Sequence, residues 1–255
     1  MILVLDIGNT NMKCGLFENR MLIRSWRMKS SMDKTSDELG MEMVSFFNYL
    51  SFNAEDVDGV LVSSVIPSIN YTIDHMVRTY FKKTAFFVGP GIKTGINILY
   101  DNPKELGSDR IVNAVAAYEL YGGPCITVDF GTATSFGAIS ERGDFLGGAI
   151  CPGIKTSAEA LTVNTAKLPR VELLKPGKAI NKNTVGCMQA GILYGYVGQV
   201  DYILRKMKAE MGGRAKVIAT GGLADTIAQE TKMIDKIDPL LTLQGLEIIY
   251  NKNFN

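Results

Sequence analysis

The chain has 255 residues, with 27 Lys or Arg against 26 Asp or Glu, 46% hydrophobic and 21% charged residues. That length allows one large or two modest domains with a sizeable core, and the near-zero net charge offers no basic excess for nucleic acid or an anionic membrane. A single histidine (His75) and four scattered cysteines (Cys14, Cys125, Cys151, Cys187) with no CxxC pair argue against a disulfide frame, a zinc site or a histidine-built metal centre.

The apolar run at Met1–Leu5 is too short for a signal peptide or a membrane span and has no positive segment before it, so a cytoplasmic location is expected. It reads instead as a buried strand that ends at Asp6. A tight turn, Gly8-Asn9-Thr10, leads into a second strand carrying Lys13, and Arg20–Met28 alternates well enough to be a third. Ser36–Leu50 has apolar residues at helical spacing with acids near its start. Gly59–Ser63 is a strand, a helix runs from Pro67 to about Tyr80, and Ala85–Val88 is a strand closed by Gly89-Pro90-Gly91.

Gly107–Tyr121 is a helix by propensity, with Ser108 as its expected N-cap. The opening unit then recurs: Ile126-Thr-Val-Asp129-Phe-Gly131-Thr132-Ala-Thr134-Ser135 is again a strand, a carboxylate and a glycine turn. A third strand lies within Asp144–Ile150, and Cys151-Pro152-Gly153 is expected to turn the chain into a helix. Leu161–Lys182 has the polar texture of a long functional loop. A long helix follows over Thr184–Glu210, then a strand over Ala215–Thr220 ending at Gly221-Gly222, a short strand at Lys236–Asp238 and a C-terminal helix. Strands alternating with helices give an α/β class.

The repeated hairpins carry the chemistry. Gly8 lets backbone approach phosphate oxygens, successive turn amides can form an anion nest, Asn9 and Thr10 add short donors, and Lys13 adds a point charge. Asp6 suits hydrated Mg²⁺, which keeps its waters and takes one or two carboxylates. A plain hairpin with Gly and Asn as turn formers explains one copy as well; two copies favour phosphate binding. Gly131, Thr132, Thr134 and Ser135 supply similar donors in the second copy, where Asp129 is either a ligand or a capped turn residue.

Five segments, Asp6-Ile-Gly-Asn-Thr-Asn-Met-Lys13, Gly107-Ser-Asp-Arg110, Asp129-Phe-Gly-Thr-Ala-Thr134, Gly147–Gly153 and Asn183–Gly191, occur in the order seen in type III pantothenate kinases, which the chain resembles along nearly its whole length. One departure is Ser108, where that family more often has alanine.

The resemblance implies two RNase H-like (actin-like ATPase) domains, residues 1–117 and 118–255, with an ATP cleft between them. It implies phosphorylation of pantothenate by ATP with Mg²⁺ and K⁺ or NH₄⁺, in a homodimer. By motif position, Asp6, Ile7, Gly8, Asn9, Thr10, Asn11, Met12, Lys13 and Thr132 would bind ATP. Tyr100, Gly107, Ser108, Asp109, Arg110 and Thr184 would bind pantothenate, Thr184 from the neighbouring subunit. Asp109 would be the catalytic proton acceptor, Asp129 the monovalent-cation ligand, and Asp6 would hold Mg²⁺ through water. The Thr220-Gly221-Gly222 turn would lie near the adenosine.

Asp109 falls in the first turn of its helix, where the dipole favours the carboxylate and makes it a weak ground-state base. Aiming the hydroxyl would then be its main task, since the proton can leave late in a loose transition state. Arg110 would hold the substrate carboxylate or pair with a surface acid. A kinase for a sugar or amino sugar and a non-catalytic ATP-binding regulator are the alternatives. His75, the Met41–Phe52 cluster and the basic residues Arg20, Arg24, Arg27, Lys29 and Lys34 read as helix surface, core and a solvated strand face.

Overall fold

A computed structural model describes residues 1–254, and its contacts divide the chain into two units, Met1–Glu119 together with the stretch from Leu240 onward, and Leu120–Pro239. In the first unit, β1 (Ile2–Ile7), β2 (Asn11–Glu18) and β3 (Met21–Lys29) form an antiparallel meander. After α1 (Ser36–Tyr49), β4 (Gly59–Ser64) pairs parallel with β1; after α2 (Asn70–Met76), β5 (Ala85–Phe87) pairs parallel with β4. The sheet order is β3-β2-β1-β4-β5.

Local chemistry sets these boundaries. Thr35 and Glu38 form a reciprocal capping box at the start of α1, and Leu39, Met43 and Phe47 then fall on one buried stripe. The helix expected over Pro67–Tyr80 is three kinds of turn in succession: a 3₁₀ turn opened by Pro67, α2, and a π turn over Val77–Phe81 that ends at left-handed Lys82.

α3 (Ser108–Tyr121) closes this stretch. The second unit repeats the plan with β6 (Cys125–Phe130), β7 (Ala133–Ile139) and β8 (Phe145–Pro152), then α4 (Ile154–Val163) and α5 (Thr184–Glu210). β9 (Lys216–Thr220), α6 (Ala224–Ala228) and β10 (Lys236–Ile237) complete it. Read from the other edge, its sheet order β8-β7-β6-β9-β10 matches the first strand for strand.

Three expectations are corrected. Cys151 and Pro152 stay in β8, an edge strand where proline's missing donor is tolerated, and Gly153 alone makes the turn as N-cap of α4. Ser108 is the first residue of α3 and not its cap, because its hydroxyl is bonded across to β4. The last helix, α7 (Leu241–Phe254), was expected with the second half but packs on β1, β2 and β4. Side-chain-free positions on that sheet explain it: Leu243 seats against Gly15, and the Tyr250 ring fills the space a side chain at Gly59 would take.

Candidate active site

In each sheet the residues of β1 or β6 that face the helical core are apolar, and the carboxylate points the other way. Leu3, Leu5 and Ile7 join the core with Val60 and Val62, which leaves Asp6 and Ser63 on the opposite face. Cross-strand register then aligns Lys13, Asp6 and Ser63 in one row across β2, β1 and β4. Lys13 Nζ lies 3.4 Å from Asp6 Oδ2, so the lysine expected to meet phosphate shares its charge with the carboxylate. The row sits at the carboxyl ends of the parallel pair β1 and β4, where open α/β sheets bind ligands.

The turn after Asp6 is fixed by a residue sequence reasoning missed. Ser30 accounts for two of its carbonyls: its Oγ donates to Gly8 O at 2.6 Å and its N–H donates to Thr10 O at 3.1 Å, while Gly8 N–H donates to Asn11 O at 3.1 Å. Asn9, Thr10 and Asn11 stand exposed on this pinned loop. Ile7 and Met12 have their side chains in the core, so only their backbone is on offer to a ligand.

Ser108 brings the start of α3 to the same place. Its Oγ lies 3.0 Å from Ser63 Oγ, accepts from Ser64 N–H at 3.0 Å and donates to Ser64 O at 3.1 Å. Ser63 and Ser64 were read only as the polar end of an apolar run. Through this staple the first turn of α3, with Asp109 and Arg110, is tied to the strand beside Asp6. Gly107 O takes both Arg110 N–H and Ile111 N–H. Arg110 is buried, with its guanidinium 5.8 Å from the centroid of the Tyr100 ring, a cation–π distance. Tyr100, Ser108, Asp109 and Arg110 thus gather in the first unit.

The second unit builds its own row, Ser135, Asp129 and Thr220 across β7, β6 and β9. Two glycines let backbone close on it. A Cβ at Gly153 would lie 2.5 Å from Gly131 O and from Thr132 O; its N–H donates to Thr132 O at 3.0 Å, and Thr156 Oγ1 donates to the same carbonyl at 2.7 Å. Gly221 has φ of +98°, and a Cβ there would lie 2.6 Å from Asp129 Oδ1. Thr132 is exposed on the turn. Thr134, expected as a ligand donor, faces the core: its hydroxyl is fully buried and bonded to Tyr196, whose own hydroxyl burial pushes up to about 12.

Thr184 is the first residue of α5 and exposed; Asn183 caps that helix by accepting from Gly186 N–H at 2.8 Å. Thr184 belongs to the second unit and Asp109 to the first. The segment before α5 is strapped down: Gln189 Nε2 donates to Glu172 O and Tyr194 OH to Pro176 O, both at 2.9 Å, and Lys175 pairs with Glu230 at 2.7 Å. From Thr184 an exposed face runs along α5 through Cys187, Gly191, Gly195, Gly198 and Tyr202. A groove of about 370 Å³ lies beside it against α4, lined by Ser157, Leu161, Gly191, Ile192, Gly195, Tyr196 and Gln199.

Among the described residues no group of three or more His, Cys, Asp or Glu is poised to hold a metal. Mg²⁺ needs no such cage, so Asp6 with water and phosphate oxygens remains a fitting donor set. At Asp129 the donors are oxygens, and the buried Thr220 Oγ1 beside it has no hydrogen-bond partner among the described residues, which fits a bound hard cation. Among the described residues no helix is long and apolar enough to cross a membrane.

Known proteins share this fold. A protein of Campylobacter jejuni assigned to the Baf family of transcriptional activators is similar over 98% of both chains, with a TM-score of 0.62 at 19% identity. One of Sinorhizobium meliloti assigned as a 2-dehydro-3-deoxygalactonokinase is similar over 100% of this chain and 97% of its own, with a TM-score of 0.64 at 10% identity. The ADPNP-bound activator of 2-hydroxyisocaproyl-CoA dehydratase from Clostridium difficile is similar over 96% and 91%, with a TM-score of 0.52 at 12% identity. At such identities these neighbours establish the fold: two mixed sheets of the actin-like ATPase and sugar-kinase type. The profile of the type III pantothenate kinase family matches residues 2–206, a span containing both hairpins, the start of α3 and most of α5. That match covers well over half of the chain, which is therefore an ATP-using kinase and a member of the type III pantothenate kinase family.

Proposed function

We propose that this kinase transfers the γ-phosphoryl group of ATP to the primary hydroxyl of pantothenate, the first step of coenzyme A synthesis. One observation carries the reading: a buried arginine stacked on Tyr100 and the neighbouring Asp109 are tied by the Ser108 staple to the strand end beside Asp6. Pantothenate presents a carboxylate and a primary hydroxyl. Arg110 offers a cation to the first, Tyr100 an apolar wall, and Asp109 an acceptor that aims the second. Because the transition state is loose, Asp109 needs to take the proton only late.

The Asp6–Lys13 turn and Thr132 bind ATP in this reading. Mg²⁺, held by Asp6 through water, neutralises phosphate charge when bound. K⁺ or NH₄⁺ belongs at Asp129. The exposed α5 face, with small residues at helical spacing, suits a second copy of the chain, which brings Thr184 to the partner's substrate.

A coupled ADP-release assay tests the proposal. Release should require pantothenate, Mg²⁺ and K⁺ or NH₄⁺, with little turnover in Na⁺ alone, and Asp109→Asn should abolish it without lowering the melting temperature. Release driven by a sugar or amino sugar and not by pantothenate would overturn the acceptor. Near-wild-type turnover in Asp109→Asn would overturn its role.

A further inference from the structure

The two hairpins are equivalent in topology, so their rows can be compared position by position. The first reads Lys13, Asp6, Ser63 and the second Ser135, Asp129, Thr220. At the outer position a lysine is replaced by a serine. The first row therefore carries its own cation within 3.4 Å of the carboxylate, and the second has a hydroxyl at that position.

The position on the parallel strand differs too. Ser63 and Thr220 are both completely buried hydroxyl residues at the carboxyl end of that strand. Ser63 Oγ has a partner in Ser108 Oγ at 3.0 Å, whereas Thr220 Oγ1 has none among the described residues. Val217 and Ala219 face the core on the other side of β9, so register places Thr220 on the face of Asp129. A buried hydroxyl left without a partner is unfavourable unless something else supplies one. Gly221, with its φ of +98°, brings the following backbone against the Asp129 carboxylate and leaves no room for a side chain to do so.

We infer that the Thr220 hydroxyl is a second protein ligand of the monovalent cation at Asp129, and that it contributes to the cation's affinity. The inference rests on the cation reading proposed above and adds to it a residue of this chain. Hard monovalent cations are taken by carboxylate, hydroxyl and carbonyl oxygens, and the second row offers a carboxylate flanked by hydroxyl residues where the first offers a lysine.

The test uses the full chain without nucleotide, melted over a KCl series balanced with choline chloride, alongside Thr220→Val, Thr220→Ser and Asp129→Asn. Valine keeps the shape and deletes the hydroxyl; serine keeps the hydroxyl. The wild type and Thr220→Ser should gain melting temperature with K⁺. Thr220→Val should melt cooperatively, at or above the wild-type temperature without K⁺, yet need about tenfold more K⁺ for the same gain. The K⁺ needed for half-maximal turnover should rise in parallel. An unchanged K⁺ response in Thr220→Val, with Asp129→Asn unresponsive, would overturn the role of Thr220 and leave the site. A response lost to ATP and kept for K⁺ would overturn it in favour of a nucleotide contact. No K⁺-specific gain in the wild type would overturn the cation reading and the inference together.

Discussion

Gly221 and Gly222 are adjacent, identical in chemistry and expected to behave in opposite ways. Gly221→Ala places a Cβ 2.6 Å from Asp129 Oδ1, 2.6 Å from Phe130 N and 2.7 Å from Phe130 C. Two of those atoms are backbone of β6, so the clash cannot be relieved by turning a flexible side chain. The backbone angle of +98° adds its own penalty for any residue with a Cβ. Overpacking of about 1–3 kcal/mol and a left-handed penalty of about 1–2 kcal/mol give a destabilisation of about 2–5 kcal/mol. For a chain of this size that is a fall of ~10 °C in melting temperature. Gly222→Ala meets nothing within 4 Å, lies exposed and should stay within about 0.5 kcal/mol of wild type. Thermal melts with and without K⁺ check both, and Gly221→Ala should also lose its K⁺ response, because the atom it displaces belongs to Asp129. A Gly221→Ala protein that melts like the wild type, or a Gly222→Ala protein that falls with it, would refute this account of the turn.

Ser108→Ala restores the residue its family more often carries, yet here it strands Ser63 Oγ and Ser64 N–H; with about 1–3 kcal/mol for a buried group left unsatisfied, the expected loss is about 2 kcal/mol by denaturant titration. Turnover should fall more than pantothenate KM rises, since Asp109 is the next residue. Glu247, buried on α7 and accepting from Asn251, has its carboxyl pushed up by burial. A carboxyl raised in the folded state contributes stability that is present below its unfolded value and lost as pH rises through the folded one. Glu247→Gln should therefore be more stable than wild type at pH 8, and the gap should close as pH falls to the ordinary carboxylate range; parallel melting profiles between pH 4 and 8 would contradict this.

Much of the fold is legible because apolar period and turn chemistry agree in the same segments. The start of α1 at Ser36 with its acidic first turn, the full extent of α5 over Thr184–Glu210 and the two hairpins all announce themselves locally. What is not legible depends on partners distant in sequence. Nothing near Ser108 says that its hydroxyl turns 44 residues back to Ser64 in place of capping α3. Thr134 looks like a turn donor until register puts it on the core face beside Tyr196. The placement of α7 on the first sheet follows from gaps at Gly15 and Gly59, and its own sequence gives no hint of them. Ser30 was hidden for the same reason: a serine after a basic strand is unremarkable until the strand folds back onto the Gly8 turn.

The candidate site residues divide along the same line. Asp6, Asp129, Gly8 and Gly131 are singled out by pattern because the repeated turn is a local object. The difference between the two turns is not local, since it arises only when a third strand is laid beside each hairpin. β4 contributes Ser63, which is spent on holding α3, whereas β9 contributes Thr220, whose hydroxyl is left facing the carboxylate row. β2 contributes a lysine and β7 a serine at the matching position. One scaffold thereby yields a carboxylate already compensated by a cation and a carboxylate flanked by hydroxyl residues. In a phosphoryl-transfer enzyme those two environments suit different tasks, because the first can meet a polyphosphate without gathering further negative charge and the second can attract a cation of its own. The division of labour proposed for Asp6 and Asp129 would follow from what each hairpin's neighbours supply, and two nearly identical motifs need not do the same chemistry.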